Sequence, residues 1–299
     1  MRLRTRKRAL IEGFAAGVFF GSAAIFVRFL PALDTFSIVF WRLAIACAAL
    51  IMVVLLEGGF HIAATRENAR DILILGLLLG LHFVFFVSAL KDTTILNATV
   101  LVNVAPVFST LISSFVFKVR PSRLAVAGLA VSFGGICVMA YAEAVTPIVR
   151  GAGFSPSVKG DLEAVVSALL IAFYLNYGRR IRAQASATST MFLIYALGAL
   201  IVGVLSLAVV DRAVTLPADL GILLPLVGLG VLPTAVAHTL YFSSLSHLKA
   251  FETATMALLE PIGATILGII LFAEVPAYVF AVGASLVLLG MFFIVKEKG

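Results

Sequence analysis

Charge is scarce in this 299-residue chain: 12% of residues are charged, 62% are hydrophobic and mean hydropathy is +1.14. Soluble domains carry about 25% charged residues. A water-soluble globule covers itself with polar side chains, and this chain has too few. Soluble enzymes, nucleic-acid binders and disordered tails are therefore poor readings. Cysteine is nearly absent: Cys47 and Cys137 both fall in apolar runs, so neither a disulfide nor a metal site is expected. The four histidines, His61, His82, His238 and His247, have no zinc-type spacing. There is no G-x-S-x-G elbow and no G-x-x-x-x-G-K-[ST] loop. We therefore expect no enzyme, no cofactor, no nucleotide-driven pump and no nucleic-acid partner, and no obligate protein partner is evident.

Long apolar runs are what the chain does have. A membrane-crossing helix needs about 20 mostly apolar residues. Ten such segments run near 9–30, 35–57, 70–90, 94–117, 122–142, 160–182, 187–210, 219–243, 250–272 and 276–295. They are continuous rather than alternating, which argues against a β-barrel. The expected architecture is an all-α membrane protein. Residues 1–146 form one five-helix unit and 160–299 a second. Between them lies a linker, 147–159, with Pro147, Gly151, Gly153 and Pro156. Asn97-Ala98-Thr99 matches a glycosylation sequon at a span edge and reads as accidental. The basic N-terminus looks like a signal peptide. Gly13, Gly17 and Gly21 instead set small residues along one face of a full span, which suits close helix packing.

The net charge of +7 is an orientation signal. With the N-terminus in the cytoplasm, the cytoplasmic links hold Arg2, Arg4, Arg6, Lys7, Arg8, Arg66, Arg70, Lys118, Arg120, Arg123, Arg179, Arg180, Arg182, Lys249, Lys296 and Lys298. The outer links hold only Lys91, Arg150, Lys159 and Arg212. This split predicts a multi-pass protein of the cell (inner) membrane with both termini cytoplasmic.

The halves repeat. Pro106, Thr110, Phe117, Pro121, Gly128 and Gly135 recur 155 residues later as Pro261, Thr265, Phe272, Pro276, Gly283 and Gly290. At a spacing of 151, Glu12 and Arg28 are echoed by Glu163 and Arg179. Five spans is an odd number, so the second half enters from the opposite side. That makes an inverted-topology repeat around a central cavity, a common plan among secondary transporters.

Polar groups inside hydrocarbon need a partner, water or a role. In the fourth span Thr99, Asn103, Pro106, Thr110 and Ser113 form one stripe, lining a cavity or bonding between helices. Glu260 in the ninth span is open between protonation, pairing with an arginine, proton coupling and a fixed hydrogen bond. The sixth span aligns Glu163, Ser167, Tyr174 and Tyr177. The two tyrosines suit a stacked aromatic or cationic ligand, Tyr177 equally an interfacial anchor. His82 sits mid-membrane with Phe85 and Phe86 one turn on. Thr234, His238 and Tyr241 share a face of the eighth span, interrupted by Pro233, with His238 nearer the cytoplasm. Arg42 either snorkels outward or meets a substrate carboxylate. Arg28 lies at a boundary, and Trp41 reads as an interfacial anchor.

The segment LLEPIGATILGIILFAEVPAYVFAVGASLVLLGM, residues 258–291, carries Glu260-Pro261, Glu274, Gly283 and Gly290. The first half echoes it as NVAPVFSTLISSFVF and the glycines of the fifth span. Together with Trp41-Arg42-Leu43, this resembles the drug/metabolite transporter superfamily, EamA type, over essentially the whole chain. Val119 departs from the pattern, standing where an acidic residue follows the fourth span. The resemblance implies ten helices in two inverted halves and movement of small metabolites. Among the members, amino-acid exporters, including those for aromatic amino acids, look nearest. The expected function is alternating-access export of a small amphipathic metabolite, amino acids first, with the lipid bilayer and that substrate as partners. The alternatives are an intramembrane enzyme and a channel-like or other-metabolite carrier. The substrate-binding candidates are Arg42, His82, Phe86, Thr99, Asn103, Tyr174, Tyr177, His238, Tyr241 and Glu260.

Overall fold

A computed structural model describes residues 5–57, 59, 68–93, 95–145, 157–182, 186–210, 213–217, 219–272 and 278–296. Several landmarks named above lie outside the described residues: Arg2, Arg4, His61, Arg66, Pro147, Arg150, Gly151, Gly153, Pro156, Arg212, Glu274, Pro276 and Lys298. Among the described residues the helices fall into ten spans. In the first half α1 is Arg6–Phe20 continued by Ser22–Arg28, α2 is Thr35–Leu56 and α3 is Ala69–Asp92. Next, α4 is Ile95–Val102 with Ala105–Phe115, and α5 is Arg123–Val145. In the second half α6 is Val158–Arg182, α7 is Ala187–Val210 and α8 is Leu220–Ser244. Then α9 joins Ala250–Met256, Ala257–Leu259 and Glu260–Phe272, and α10 is Tyr278–Val295. Eight of the ten have the length and apolarity to cross a bilayer by themselves. The others, α6 and α9, carry Glu163 and Glu260 among their apolar residues.

The repeat is visible as geometry. Gly128 of α5 faces the Gly290 carbonyl of α10, and Gly135 faces the Gly283 carbonyl. Rising numbers on one helix meet falling numbers on the other, so these equivalent helices run antiparallel and the halves are inverted. Adding 155 to each residue of the first half exchanges the two glycine pairs. It also maps Ser132 onto Val287, and Ser132 Oγ donates to the Val287 carbonyl at 3.2 Å. The local two-fold axis therefore passes through this contact.

The same register relates the two broken helices. α4 breaks at Asn103–Val104, and α9 tightens into a 3₁₀ turn at Ala257–Leu259, the equivalent place. Proline follows both breaks, because it cannot donate to the preceding turn. In both halves a threonine one turn on binds the proline carbonyl: Thr110 Oγ1 to Pro106 at 2.8 Å and Thr265 Oγ1 to Pro261 at 2.9 Å. The small face of α1 packs as its spacing predicts. Gly17 lies against the Met256 carbonyl and Gly21 against Gly263 and Ala264 of α9.

Asp34 starts α2. Its carboxylate accepts from the Ser37 amide at 3.0 Å and from the Ser37 hydroxyl, and the Thr215 amide in turn donates to Ser37 Oγ at 2.8 Å. Partial burial pushes the Asp34 carboxyl up, but the Ser37 hydrogen bonds outweigh it and hold it below the usual range. A depressed carboxylate stabilises the fold above its unfolded value, about 3.9, and loses that contribution as pH falls through its folded value. We expect Asp34→Ala to cost about 1 kcal/mol at pH 7, the usual worth of an N-cap. The gap from wild type narrows in melts recorded at progressively lower pH. A gap that is constant down to acid would exclude this role.

Candidate functional site

The centre of the site follows from Pro233. Without an N–H, it leaves the Leu229 carbonyl without its helical donor. α8 widens here into a π-helical stretch, Gly230–His238, of the kind found at functional sites. The Thr234 hydroxyl donates to Leu229 O at 2.6 Å, and the Tyr195 hydroxyl of α7 donates to Thr234 O at 2.7 Å. With its proton committed, Thr234 Oγ1 accepts from Arg42 Nε at 3.1 Å. The guanidinium carbon lies over Phe83, 3.7 Å from its ring centre.

Arg42 is only 1% exposed. Its side chain therefore does not snorkel to the surface. Its Nη1 is buried with no hydrogen-bond partner. Arg28, by contrast, is exposed, and Trp41 Nε1 is bound to the Thr215 carbonyl at 2.8 Å.

Around Arg42 stands a cluster of rings from α1, α3 and α8. His238 packs against Phe20 at 4.6 Å and edge-on against Phe83 at 4.8 Å. Phe20 meets Tyr241 edge-on at 5.1 Å, and His82 stacks parallel to Phe86 at 6.2 Å. The two histidines approach to 6.2 Å. In the repeat register His82 falls at Ala237, one residue from His238, so each half contributes a histidine to the middle. His82 Nδ1 lies 3.0 Å from the Ser167 carbonyl. The Ser167 hydroxyl lies 2.8 Å from the same Nδ1, and since a carbonyl only accepts, Nδ1 is the donor to the Ser167 carbonyl. His238 Nδ1 is buried without a partner. Glu260, buried beside the 3₁₀ turn of α9, is within electrostatic reach of both Arg42 and Tyr241.

A ten-helix inverted repeat enclosing a buried polar cluster in which Arg42 Nη1 and His238 Nδ1 have no partner is transporter architecture. Comparison with known proteins agrees. The profile of the EamA-like transporter family matches twice, over residues 7–141 and 158–296. The chain belongs to the EamA-like transporter family. It is 26% identical to the uncharacterized transporter YcxC of Bacillus subtilis (strain 168), over 95% of this chain and 90% of that one. It is 24% identical to the uncharacterized transporter YxxF of the same organism, over 99% and 92%. A solved crystal structure superposes with a TM-score of 0.79 at 20% identity, covering 97% of this chain and 96% of that one, a likeness of fold alone.

In this EamA-like transporter Arg42, His82, Phe86, His238 and Tyr241 share one cluster with Phe20 and Phe83, Glu260 and Tyr174 are within electrostatic reach of it, and the remaining candidates make other contacts. Tyr174 is fully buried against Phe242, and its hydroxyl donates to Met191 Sδ at 3.1 Å. Tyr177 donates to Asp71 at 2.5 Å, at the end of the molecule that carries Arg180. At the α4 break Asn103 Nδ2 donates to the Thr99 carbonyl one turn back at 2.7 Å, and its Oδ1 is buried without a partner. Thr99 is half-buried on the first segment of α4. Further along that stripe, Ser113 bonds Asn176 of α6 at 2.5 Å, the interhelical alternative. Phe20, Phe83, Tyr195 and Asn176 are absent from the sequence candidates. Asn176 was detectable as a lone amide in an apolar span; Phe20 and Phe83 were not, among 24 phenylalanines.

Proposed function

We propose that this transporter carries small amphipathic metabolites, amino acids first and aromatic ones among them, outward from the cytoplasm by alternating access. The observation that carries this reading is Arg42. Its buried, unpartnered Nη1 suits a carboxylate, because guanidinium pairs with carboxylate through charge-assisted bonds. Glu260 supplies the opposite charge for an ammonium group, and the rings of Phe20, Phe83, His238 and Tyr241 suit an apolar or aromatic side chain. A ligand with a carboxylate, an ammonium and a ring matches all three. The excess of Lys and Arg in alternate links supports an inner-membrane protein with cytoplasmic termini.

Purified protein in liposomes, loaded with unlabelled compound and challenged with labelled amino acids and other metabolites, tests the reading. Saturable counterflow of aromatic amino acids is expected, with their decarboxylated amines poorly carried. His82→Ala should reduce that counterflow about tenfold, in line with losing one ordered polar contact, without lowering the amount of folded protein. Absence of saturable amino-acid flux across the panel would refute the substrate assignment.

A further inference from the structure

His238 stands among rings. Phe20 packs against it at 4.6 Å and Phe83 edge-on at 4.8 Å, with His82 at 6.2 Å and Tyr241 at 6.3 Å between ring centres. The residue is 5% exposed, and its Nδ1 is buried with no hydrogen-bond partner. The polar groups next to it are already engaged. Tyr241 donates its hydroxyl to the Ala254 carbonyl at 3.3 Å, and Tyr195 donates to the Thr234 carbonyl at 2.7 Å. Thr234 donates to the Leu229 carbonyl at 2.6 Å, and His82 Nδ1 donates to the Ser167 carbonyl at 3.0 Å. Among the described residues of the ring cluster, the buried polar atoms left over are Arg42 Nη1 and His238 Nδ1.

Both belong to one site. The Arg42 guanidinium carbon lies 3.7 Å from the centre of Phe83, the ring that His238 also meets, and Arg42 is within electrostatic reach of His238. A ligand whose carboxylate meets Arg42 can reach His238 with its side chain.

A buried polar atom left without a partner is costly. A phenyl group or an alkyl chain beside His238 leaves Nδ1 unpaired, because neither donates nor accepts. A neutral imidazole has one N–H and one acceptor nitrogen. A ring hydroxyl both donates and accepts, so it satisfies Nδ1 in either tautomer. A site that hydrogen-bonds a substrate hydroxyl rejects the analogue lacking it far more strongly than an apolar pocket rejects a missing methylene. We propose that His238 is a specificity-determining residue, whose Nδ1 takes a hydroxyl on the ring of the carried compound, so that hydroxyphenyl side chains are preferred to phenyl ones. The proposal rests on the amino-acid reading of the Arg42 site and adds to it the polar group on the ring.

Counterflow in liposomes with tyrosine, phenylalanine and para-methylphenylalanine tests it. The methyl analogue is close to tyrosine in size but forms no hydrogen bond through its ring. In wild type the KM for tyrosine should lie about tenfold below that for phenylalanine, the cost of leaving one buried polar atom unpaired. The methyl analogue should be carried no better than phenylalanine. His238→Phe keeps a ring in the cluster and removes the nitrogen, so the ratio of the two KM values should fall to near one. His238→Asn sets an amide close to the place of Nδ1 and should retain a preference for tyrosine, which a role in packing alone would not. The comparison of analogues on wild type stands whether or not the variants fold. Equal KM values for tyrosine and phenylalanine, or a ratio unchanged in His238→Phe, overturn the assignment while amino-acid transport stands. A methyl analogue carried as well as tyrosine also overturns it, because fit and not hydrogen bonding would then set the ratio. Absence of saturable flux for all three overturns the substrate reading beneath it as well.

Discussion

Arg42→Lys raises the KM for transport of a carboxylate-bearing substrate about thirtyfold, with the protein still folded. That corresponds to about 2 kcal/mol, the usual worth of a hydrogen bond to a charged group. Lysine keeps the charge but loses three things that the arginine has here. It has no Nε–H to donate to Thr234, no plane to lie on Phe83, and no second fixed donor left over for a ligand. The ammonium is also more strongly hydrated, so it is held less well among rings. Two controls separate a ligand contact from a structural one. Arg28→Lys, at an exposed position, leaves KM unchanged. For a substrate analogue lacking the carboxylate, wild type and Arg42→Lys should bind equally weakly, as in a double-mutant cycle. If Arg42→Lys weakens both compounds alike, the arginine acts only through packing and the carboxylate assignment fails. Thr234→Val, which removes the acceptor that steers Nε, should move KM in the same direction by a smaller factor.

Much of this architecture was legible in the sequence because bilayer physics leaves few options. Continuous apolar runs of the right length are helices, and the ten spans fall where hydropathy puts them. The Pro and Gly landmarks gave away the repeat because their roles are geometric. Pro106 and Pro261 sit just past equivalent breaks, and Gly128, Gly135, Gly283 and Gly290 mark where two backbones touch. The site was less legible. Counting from the span end sets His238 toward the cytoplasm but does not say which side chains it meets. The structure brings its ring beside His82 and Phe20, within a π-helical stretch that residue counting does not register. Tyr174 shares a helix face with Ser167, but a helical wheel shows only the direction of a side chain and not what meets it. Here that is Phe242 and Met191. The orientation of Arg42 depends on a hydroxyl 192 positions away, itself aimed by Pro233. No local pattern encodes such a contact.

The second large effect concerns the two-fold axis. Gly290→Ala should destabilise the protein by about 2 kcal/mol, within the range for overpacking a tight interface. A methyl group at Gly290 would run into the Gly128 carbonyl and the backbone and hydroxyl of Ser132. Backbone cannot rotate away, so α5 and α10 must separate. Exchange by the repeat makes Gly135 the equivalent of Gly290, where a methyl would meet the Gly283 carbonyl and Val287. Gly135→Ala should therefore cost about as much as Gly290→Ala. Gly134, one residue away on the same helix, has nothing within 4 Å of its would-be methyl. There the same substitution only improves helix propensity, by up to about 1 kcal/mol, so Gly134→Ala should raise the melting temperature. Thermal unfolding of the three variants in one detergent decides the matter. Opposite signs at adjacent residues of one helix follow only if α5 meets α10 backbone to backbone. A uniform rise for all three would mean that the helices are held apart by side chains. Uniform destabilisation would mean that α5 is covered on its other face as well.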